Sequence, residues 1–213
     1  MADLRVDCLE LGALPTNTYL VWNTETRDCL LIDPSDGCEQ IERRLREKEL
    51  KPAAIYITHG HDDHIGSVND LKRRYGVLVY MMKEEEEFTE SVQYNLSMVF
   101  GHPRVIEPDM FFVDVQEVSV LGTKMRALLT PGHTPGGACF YFPEEKLLFT
   151  GDTLFSGSVG RSDFPGGDGR LLIRSVQEKL MPLPDDVRVY PGHGPDTTIG
   201  EERRYNPYIR GTI

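Results

Sequence analysis

Long apolar runs are missing from this 213-residue chain. No uninterrupted stretch approaches the roughly 18 residues of a membrane-spanning helix, so a protein without a membrane partner is expected. The opening residues, MADLRVDCLE, lack the basic-then-apolar layout of a secretion signal, which points to the cytoplasm. Basic residues are the scarcer charge, 23 Lys and Arg against 34 Asp and Glu, and the net charge is −11. Such a field repels polyanions and argues against nucleic acid as a partner, leaving a small-molecule substrate. Cysteine is sparse too. Cys8, Cys29, Cys38 and Cys139 stand singly, and the absence of any CxxC pair argues against a thiolate zinc knuckle or a redox dithiol. Cys29 in DCLLID and Cys139 in GACFYF read as buried strand residues with a packing role.

What is present suits a globular protein. Hydrophobic residues make up 39% of the chain, enough for a core of ordinary size, and the length fits one domain over residues 1–213. Apolar runs rich in β-formers predict strands near 4–9, 18–23, 28–32, 54–57, 77–81, 111–120, 125–129, 138–142, 146–150 and 187–190. Amphipathic spacing predicts helices near 37–48, 65–75, 84–99 and 169–181. Asp36 and Glu39 have the spacing of a capping box before the first helix, and Gly76 suits the end of the second. The acidic run Glu84 to Glu87 reads as a helix N-terminal turn, where carboxylates favour the dipole. Strand and helix alternate in both halves, which gives an α/β or mixed class with antiparallel parts.

Only six histidines occur, and five share one setting: a short apolar strand ending in a Gly- or Pro-rich turn. AIYITHGHDDH supplies His59, His61 and His64 with Asp63; MRALLTPGH supplies His133; VRVYPGH supplies His193. KLLFTGD has the same form and delivers Asp152. Four strands thus carry imidazoles and carboxylates at their C-terminal ends, where α/β folds place their sites. In an extended segment His59 and His61 project to one side and can clamp one ion, while Asp63 and His64 lie beyond and point elsewhere. A catalytic zinc takes three protein ligands and keeps one position open. Seven donors therefore suit two ions bridged by a carboxylate and a hydroxide. Nitrogen and oxygen donors without thiolate favour zinc, with iron or manganese as alternatives. His102, in FGHPR, lies outside every such motif.

The ordered segments HxHxDH (59–64), TPGHTPG (130–136), TGDTLF (150–155) and PGHGP (191–195) resemble those of the metallo-β-lactamase superfamily. Within it the chain is similar to the short, single-domain glyoxalase II-like (hydroxyacylglutathione hydrolase-like) hydrolases. The resemblance extends to NTYLVW (17–22), LLIDPSDG (30–37) and the tail. It implies an αββα sandwich of two mixed β-sheets flanked by helices. It further implies two divalent metal ions, one on His59, His61 and His133, the other on Asp63, His64 and His193, with Asp152 bridging. With 20 residues following His193 in this sequence, the C-terminal helical region with which full glyoxalase II enzymes help to bind glutathione is expected to be missing.

The expected reaction is hydrolysis of a small thioester, such as an S-2-hydroxyacyl thiol, by hydroxide held at the metal pair. A thiol leaves readily as thiolate, so no strong general acid is required. Asp63 is expected to double as the catalytic group that orients the hydroxide, and Arg161 to grip an anionic part of the substrate. Asp33, closing its strand in LLIDP, reads as a partner of a ligand rather than a ligand. The competing readings are a mononuclear-iron persulfide dioxygenase using His59, His133 and Asp152, another superfamily hydrolase (a β-lactamase, lactonase or phosphodiesterase), and a non-catalytic metal binder.

Overall fold

A computed structural model describes residues 2–211; Met1, Thr212 and Ile213, at the ends of the expected domain, lie outside the described residues. Six strands form the first sheet in sequence order: β1 (Leu4–Leu11), β2 (Thr16–Asn23), β3 (Asp28–Ile32), β4 (Lys51–Tyr56), β5 (Leu78–Met82) and β6 (Met110–Phe112). The first three run antiparallel and the last four parallel, so the sheet is mixed. The second sheet contains β7 (Gln116–Val120), β8 (Thr123–Leu129), β9 (Ala138–Phe142) and β10 (Leu147–Gly151) as an antiparallel meander. A small hairpin follows, β11 (Leu154–Phe155) with β12 (Ser158–Val159), before β13 (Arg188–Pro191) joins β10 in parallel and β14 (Thr197–Thr198) closes the edge.

The sheets pack face to face over Tyr19, Val21, Ile32, Phe140 and Phe149. Outside the first sheet lie α1 (Cys38–Glu47), the single turn α2 (Asp62–Ile65), α3 (Val68–Tyr75) and α4 (Glu86–Glu90), with Ile41, Leu45 and Leu71 buried against the strands. The outer face of the second sheet is covered by α5 (Gly169–Ser175), a π-helical turn at Val176–Leu180, and α6 (Ile199–Tyr205), through Val176, Leu180 and Ile199. The result is the αββα sandwich of two mixed sheets, each layer burying the apolar face of the next. No described helix is long and apolar enough to cross a membrane.

Several expectations change here. The apolar run 111–120 is two strands, because Val113–Val115 forms a turn with Val115 at φ 59°; β6 ends one sheet and β7 begins the other. The helix expected over 84–99 stops at Glu90. Beyond it Ser91 and Asn95 accept backbone N–H groups of Tyr94 and Ser97, which competes with helical bonding. The helix expected at 65–75 is two pieces, α2 and α3, and the first begins early enough to include Asp62 to His64. Asp36 makes no capping bond to α1; its carboxylate is paired with Arg104 instead, at 2.6 and 3.2 Å. Gly76 does end α3 in the left-handed conformation, φ 65°. β11, β12, β14 and α6 are too short or too polar to stand out as periodic segments.

Candidate metal centre

The loops that follow β4, β8, β10 and β13 open at one end of the sandwich and bring their polar residues together. One ring nitrogen each of His59, His61 and His133 lie within 4.8 Å of one another, and so do a carboxylate oxygen of Asp63 and one ring nitrogen each of His64 and His193. Asp152 sits between the groups. Its Oδ1 is 3.4 Å from His64 Nε2, and its Oδ2 is 3.6 Å from both His133 Nε2 and His193 Nε2. Asp63 Oδ2 lies 3.5 Å from His64 Nε2 and 3.3 Å from His193 Nε2. Asp63 and His64 therefore turn back toward the site, because α2 begins at Asp62 and coils the chain through it. His102 stands apart in the 91–109 segment, in none of these groups.

Backbone and side chains behind the donors set their orientation. Asp33, buried and at φ 49°, accepts from the Thr58 N–H at 2.8 Å, from Thr58 Oγ1 at 2.6 Å and from His64 Nδ1 at 2.9 Å. Thr58 Oγ1 in turn accepts from His59 Nδ1, 3.1 Å away. One carboxylate thus turns the Nε2 atoms of His59 and His64 into the site, which is how histidine ligands are aimed. His133 donates from Nδ1 to the Arg161 carbonyl at 2.6 Å, leaving Nε2 inward. The PGH turn is held by the start of β2: Asn17 Nδ2 reaches the Pro191 and Gly194 carbonyls at 3.0 and 2.9 Å, the Tyr19 hydroxyl reaches Pro191 O at 2.6 Å, and Thr16 Oγ1 donates to Asp63 Oδ2 at 2.8 Å. Glu85, fully buried, accepts the Gly60 and Gly136 N–H groups at 2.7 Å each and so joins the HxHxDH loop to the TPGHTPG loop.

The acidic run is therefore more than a helix start. Nothing in four consecutive glutamates marks which one turns inward, so the sequence carries no signal for Glu85. Thr16 and Asn17 do leave a trace: with Thr18 they form a polar opening to a strand that continues as Tyr-Leu-Val-Trp. Arg161 reaches the site in an unexpected way. Its carbonyl orients His133, while its guanidinium forks onto Asp163 at 2.7 and 2.8 Å and stacks 3.8 Å from the Phe164 ring centre. The exposed Arg161–Asp163 pair lies at the cavity lining, where an anionic part of the substrate is the expected partner of Arg161.

The electrostatics divide the donors. Burial, reinforced by neighbouring histidines, holds His59 well below the ordinary imidazole value and lowers His61 to about 3, so both are neutral with free lone pairs. Burial also pulls His64 down, but Asp63, Asp152 and Asp33 outweigh it and hold the ring protonated. His193 is raised as well, burial being overcome by the bond to Asp63. Asp63 and Asp152 are ionised: burial would raise both carboxyls, and the imidazoles around them prevail. Zinc uptake by the Asp63, His64 and His193 group should accordingly release protons near neutral pH, whereas His59 and His61 should release few on binding the other ion. Calorimetric titration in buffers of different ionisation enthalpy checks this, and equal release at both steps would contradict it.

Two buried polar atoms among the donors have no hydrogen-bond partner, His64 Nε2 and Asp152 Oδ1, while His61 faces His133 Nε2 through its Nδ1 at 2.9 Å. Unpaired buried donors and acceptors are costly, and a cation among them satisfies the acceptor atoms once the rings are deprotonated. Imidazole nitrogens and carboxylate oxygens without thiolate fit divalent ions. The glycines are part of the fit. A Cβ on Gly192 would lie 2.2 Å from Asp152 Oδ1 and 2.7 Å from His64 Cε1. Gly192→Ala is therefore expected to cut metal content to less than half while leaving the far-ultraviolet dichroism unchanged; full metal content in the variant would refute the close packing.

An αββα sandwich with histidine and carboxylate donors converging from four strand ends defines a metalloprotein built for paired divalent ions. The family model for the metallo-beta-lactamase superfamily matches residues 11–193, and the chain belongs to that superfamily, whose members are mostly metal-dependent hydrolases. It is 37% identical over 209 residues to the hydroxyacylglutathione hydrolase GloC of Haemophilus influenzae, covering 97% of this chain and 98% of GloC. Among solved structures it is similar to the BLEG-1 B3 metallo-beta-lactamase, with 34% identity, a TM-score of 0.91, and 96% and 99% of the two chains covered. It is likewise similar to TTHA1623 in a di-iron-bound form, with 38% identity, a TM-score of 0.86, and 95% and 100% covered.

Proposed function

We propose that this protein is a cytoplasmic hydrolase of small thioesters, such as S-2-hydroxyacyl thiols, working with two divalent ions, zinc first among them. His59, His61 and His133 would hold one ion and Asp63, His64 and His193 the other, with Asp152 shared. The observation that carries the reading is the placement of Asp152 between two three-donor groups at the floor of an open cavity of about 600 Å³. The similarity to GloC supports the thioester class. When bound, a metal pair supplies hydroxide at neutral pH and polarises the carbonyl under attack.

The chain's own residues do the remainder. The Asp33–Thr58–His59 relay and the Asp33–His64 bond keep the donor nitrogens aimed. Asp63, ionised and tied to Thr16, offers a carboxylate oxygen at the site that can hold a water proton. The leaving thiol has an ordinary value near 8.5 and departs as thiolate, so the lack of a neutral acid at the cavity floor is no obstacle. Loss of thioester absorbance with S-lactoylglutathione and with an uncharged S-lactoyl thioester tests the reading. Zinc-loaded wild type should turn over at least one, and His61→Ala should be slower by at least about a thousandfold, since metal stabilisation is worth several kcal/mol. No turnover of either ester by the fully metallated protein would overturn it.

Iron is the second metal reading, favoured by the di-iron form of TTHA1623. Loading the metal-free protein with iron and with zinc, then comparing hydrolysis with oxygen uptake on glutathione persulfide, separates a hydrolase from a dioxygenase.

A further inference from the structure

The cavity above the donors has a polar floor and apolar walls. Leu14, Leu96, Phe100, Phe155, Val159 and Phe164 line it. Leu14 and Phe100 at the mouth are 43% and 41% exposed, which is high for large apolar side chains. This wall is built into the fold. Leu96 and Phe100 come from the turns after α4, and Asn95 pins those turns by donating to Arg104 O at 2.8 Å while its own carbonyl accepts the Asp62 N–H at 2.8 Å. Arg104 completes the anchor with ion pairs to Asp36 and Asp62 at 2.6 Å each.

Charge points the same way. Glutathione carries two carboxylates and an ammonium group, and a site that recognises it needs free cations near its mouth. Apart from the histidines of the floor, Arg161 is the one cationic side chain lining the cavity among the described residues. Its guanidinium is bidentate to Asp163 and lies 3.8 Å from the Phe164 ring centre, so its nearest charged partner is a carboxylate of this chain. The chain's net charge of −11 adds a field that disfavours anionic substrates.

We infer that the cavity selects thioesters whose thiol carries an uncharged, hydrocarbon-rich group, and discriminates against glutathione conjugates. The inference rests on the thioesterase reading above. In the reaction water adds to the thioester carbon, the C–S bond breaks, and the products are the carboxylate, the thiol and a proton. The hydrocarbon arm of the thiol stays against Leu96, Phe100 and Phe164 throughout, and each buried methylene adds to binding.

The test compares S-D-lactoyl esters of N-hexanoylcysteamine and of glutathione, which share an amide nitrogen β to sulfur and so have similar leaving groups. With zinc-loaded protein the hexanoyl ester should show a kcat/KM at least tenfold higher. Phe100→Ala should cut that advantage severalfold, and Asp163→Asn, which frees Arg161, should raise kcat/KM for the glutathione ester. Independently of turnover, calorimetry on the metal-free protein should show N-hexanoylcysteamine binding more tightly than glutathione. Equal or better turnover of the glutathione ester overturns the inference. Preferential binding of N-hexanoylcysteamine with no hydrolysis of either ester would support the apolar selectivity and overturn the thioesterase reading. No binding preference and no hydrolysis would overturn both.

Discussion

Asp33→Ala is expected to lower the thermal midpoint of the metal-free protein by roughly 10 °C and to abolish tight binding of both ions. The carboxylate accepts from three buried donors, the Thr58 N–H, Thr58 Oγ1 and His64 Nδ1. Each donor left unsatisfied costs about 1–3 kcal/mol, so about 4 kcal/mol in total is a moderate figure, and in a domain of this size each kcal/mol moves the midpoint by about 2–4 °C. Asp33→Asn separates charge from shape. Asparagine tolerates the left-handed backbone at φ 49° and keeps one acceptor oxygen, so the midpoint should fall less. Its one oxygen can replace either Oδ1, which takes the Thr58 N–H, or Oδ2, which takes Thr58 Oγ1–H and His64 Nδ1–H, so at least one donor faces the N–H₂ group, and metal affinity should still drop about 10–100-fold. Differential scanning calorimetry and zinc titration against a competing chelator read the two effects. An Asn variant with unchanged affinity would show that Asp33 does not aim the imidazoles.

Glu85→Gln has the second largest expected effect, and it is asymmetric. The carboxylate is the shared acceptor of Gly60 and Gly136, which flank His59, His61 and His133 and not the other donor group. In the glutamine variant one of the two N–H groups faces an amide N–H₂, the loops separate, and affinity at the three-histidine group should fall at least about tenfold, the scale seen for outer partners of ligands. Affinity at the Asp63, His64 and His193 group should change little. Stability should respond to pH as well. Burial pushes the Glu85 carboxyl up from 4.5 to about 7, against the opposing pull of its N–H bonds. A raised carboxyl value means the folded state binds the proton more tightly than the unfolded chain. Its contribution is thus fully present below pH 4.5 and is lost as pH rises through about 7. Glutamine has no such charge to bury, so the variant should gain on wild type between pH 5 and 8, by up to about 3 kcal/mol. Urea midpoints at the two pH values measure this, and a difference independent of pH would show that Glu85 is not the ionising group.

The two variants also separate the layers of the site. Asp33 lies between the donor groups and reaches both through Thr58 and His64. Glu85 lies behind the two loops and reaches the donors only through backbone. Neither carboxylate contacts the cavity, so substrate preference should be unaltered wherever activity survives. Preference belongs to the wall, where Phe100 and the Arg161–Asp163 pair act.

The donors themselves are legible in the sequence because strand ends and Gly/Pro turns are local features. Each of AIYITHGHDDH, MRALLTPGH, KLLFTGD and VRVYPGH announces an apolar strand and the polar residue that leaves it, and β-period alternation needs nothing beyond nearest neighbours. Composition and charge likewise follow from counting. What the chain alone could not show is how those ends meet. One apolar run, 111–120, feeds two different sheets because a turn at Val113–Val115 redirects it, and no periodicity marks that break. Asp36 has the spacing of a cap and instead pairs with Arg104, 68 residues away. Arg161 has the placement of an anion binder, but Asp163 and Phe164 take up its guanidinium. Glu85 is indistinguishable from Glu84, Glu86 and Glu87 until the loops of two sheets close around it. Local propensity and pattern determined which residues leave the strands. Only long-range packing decided which of their polar groups face each other, because burial, and with it the demand for a partner, exists only once the sheets are stacked.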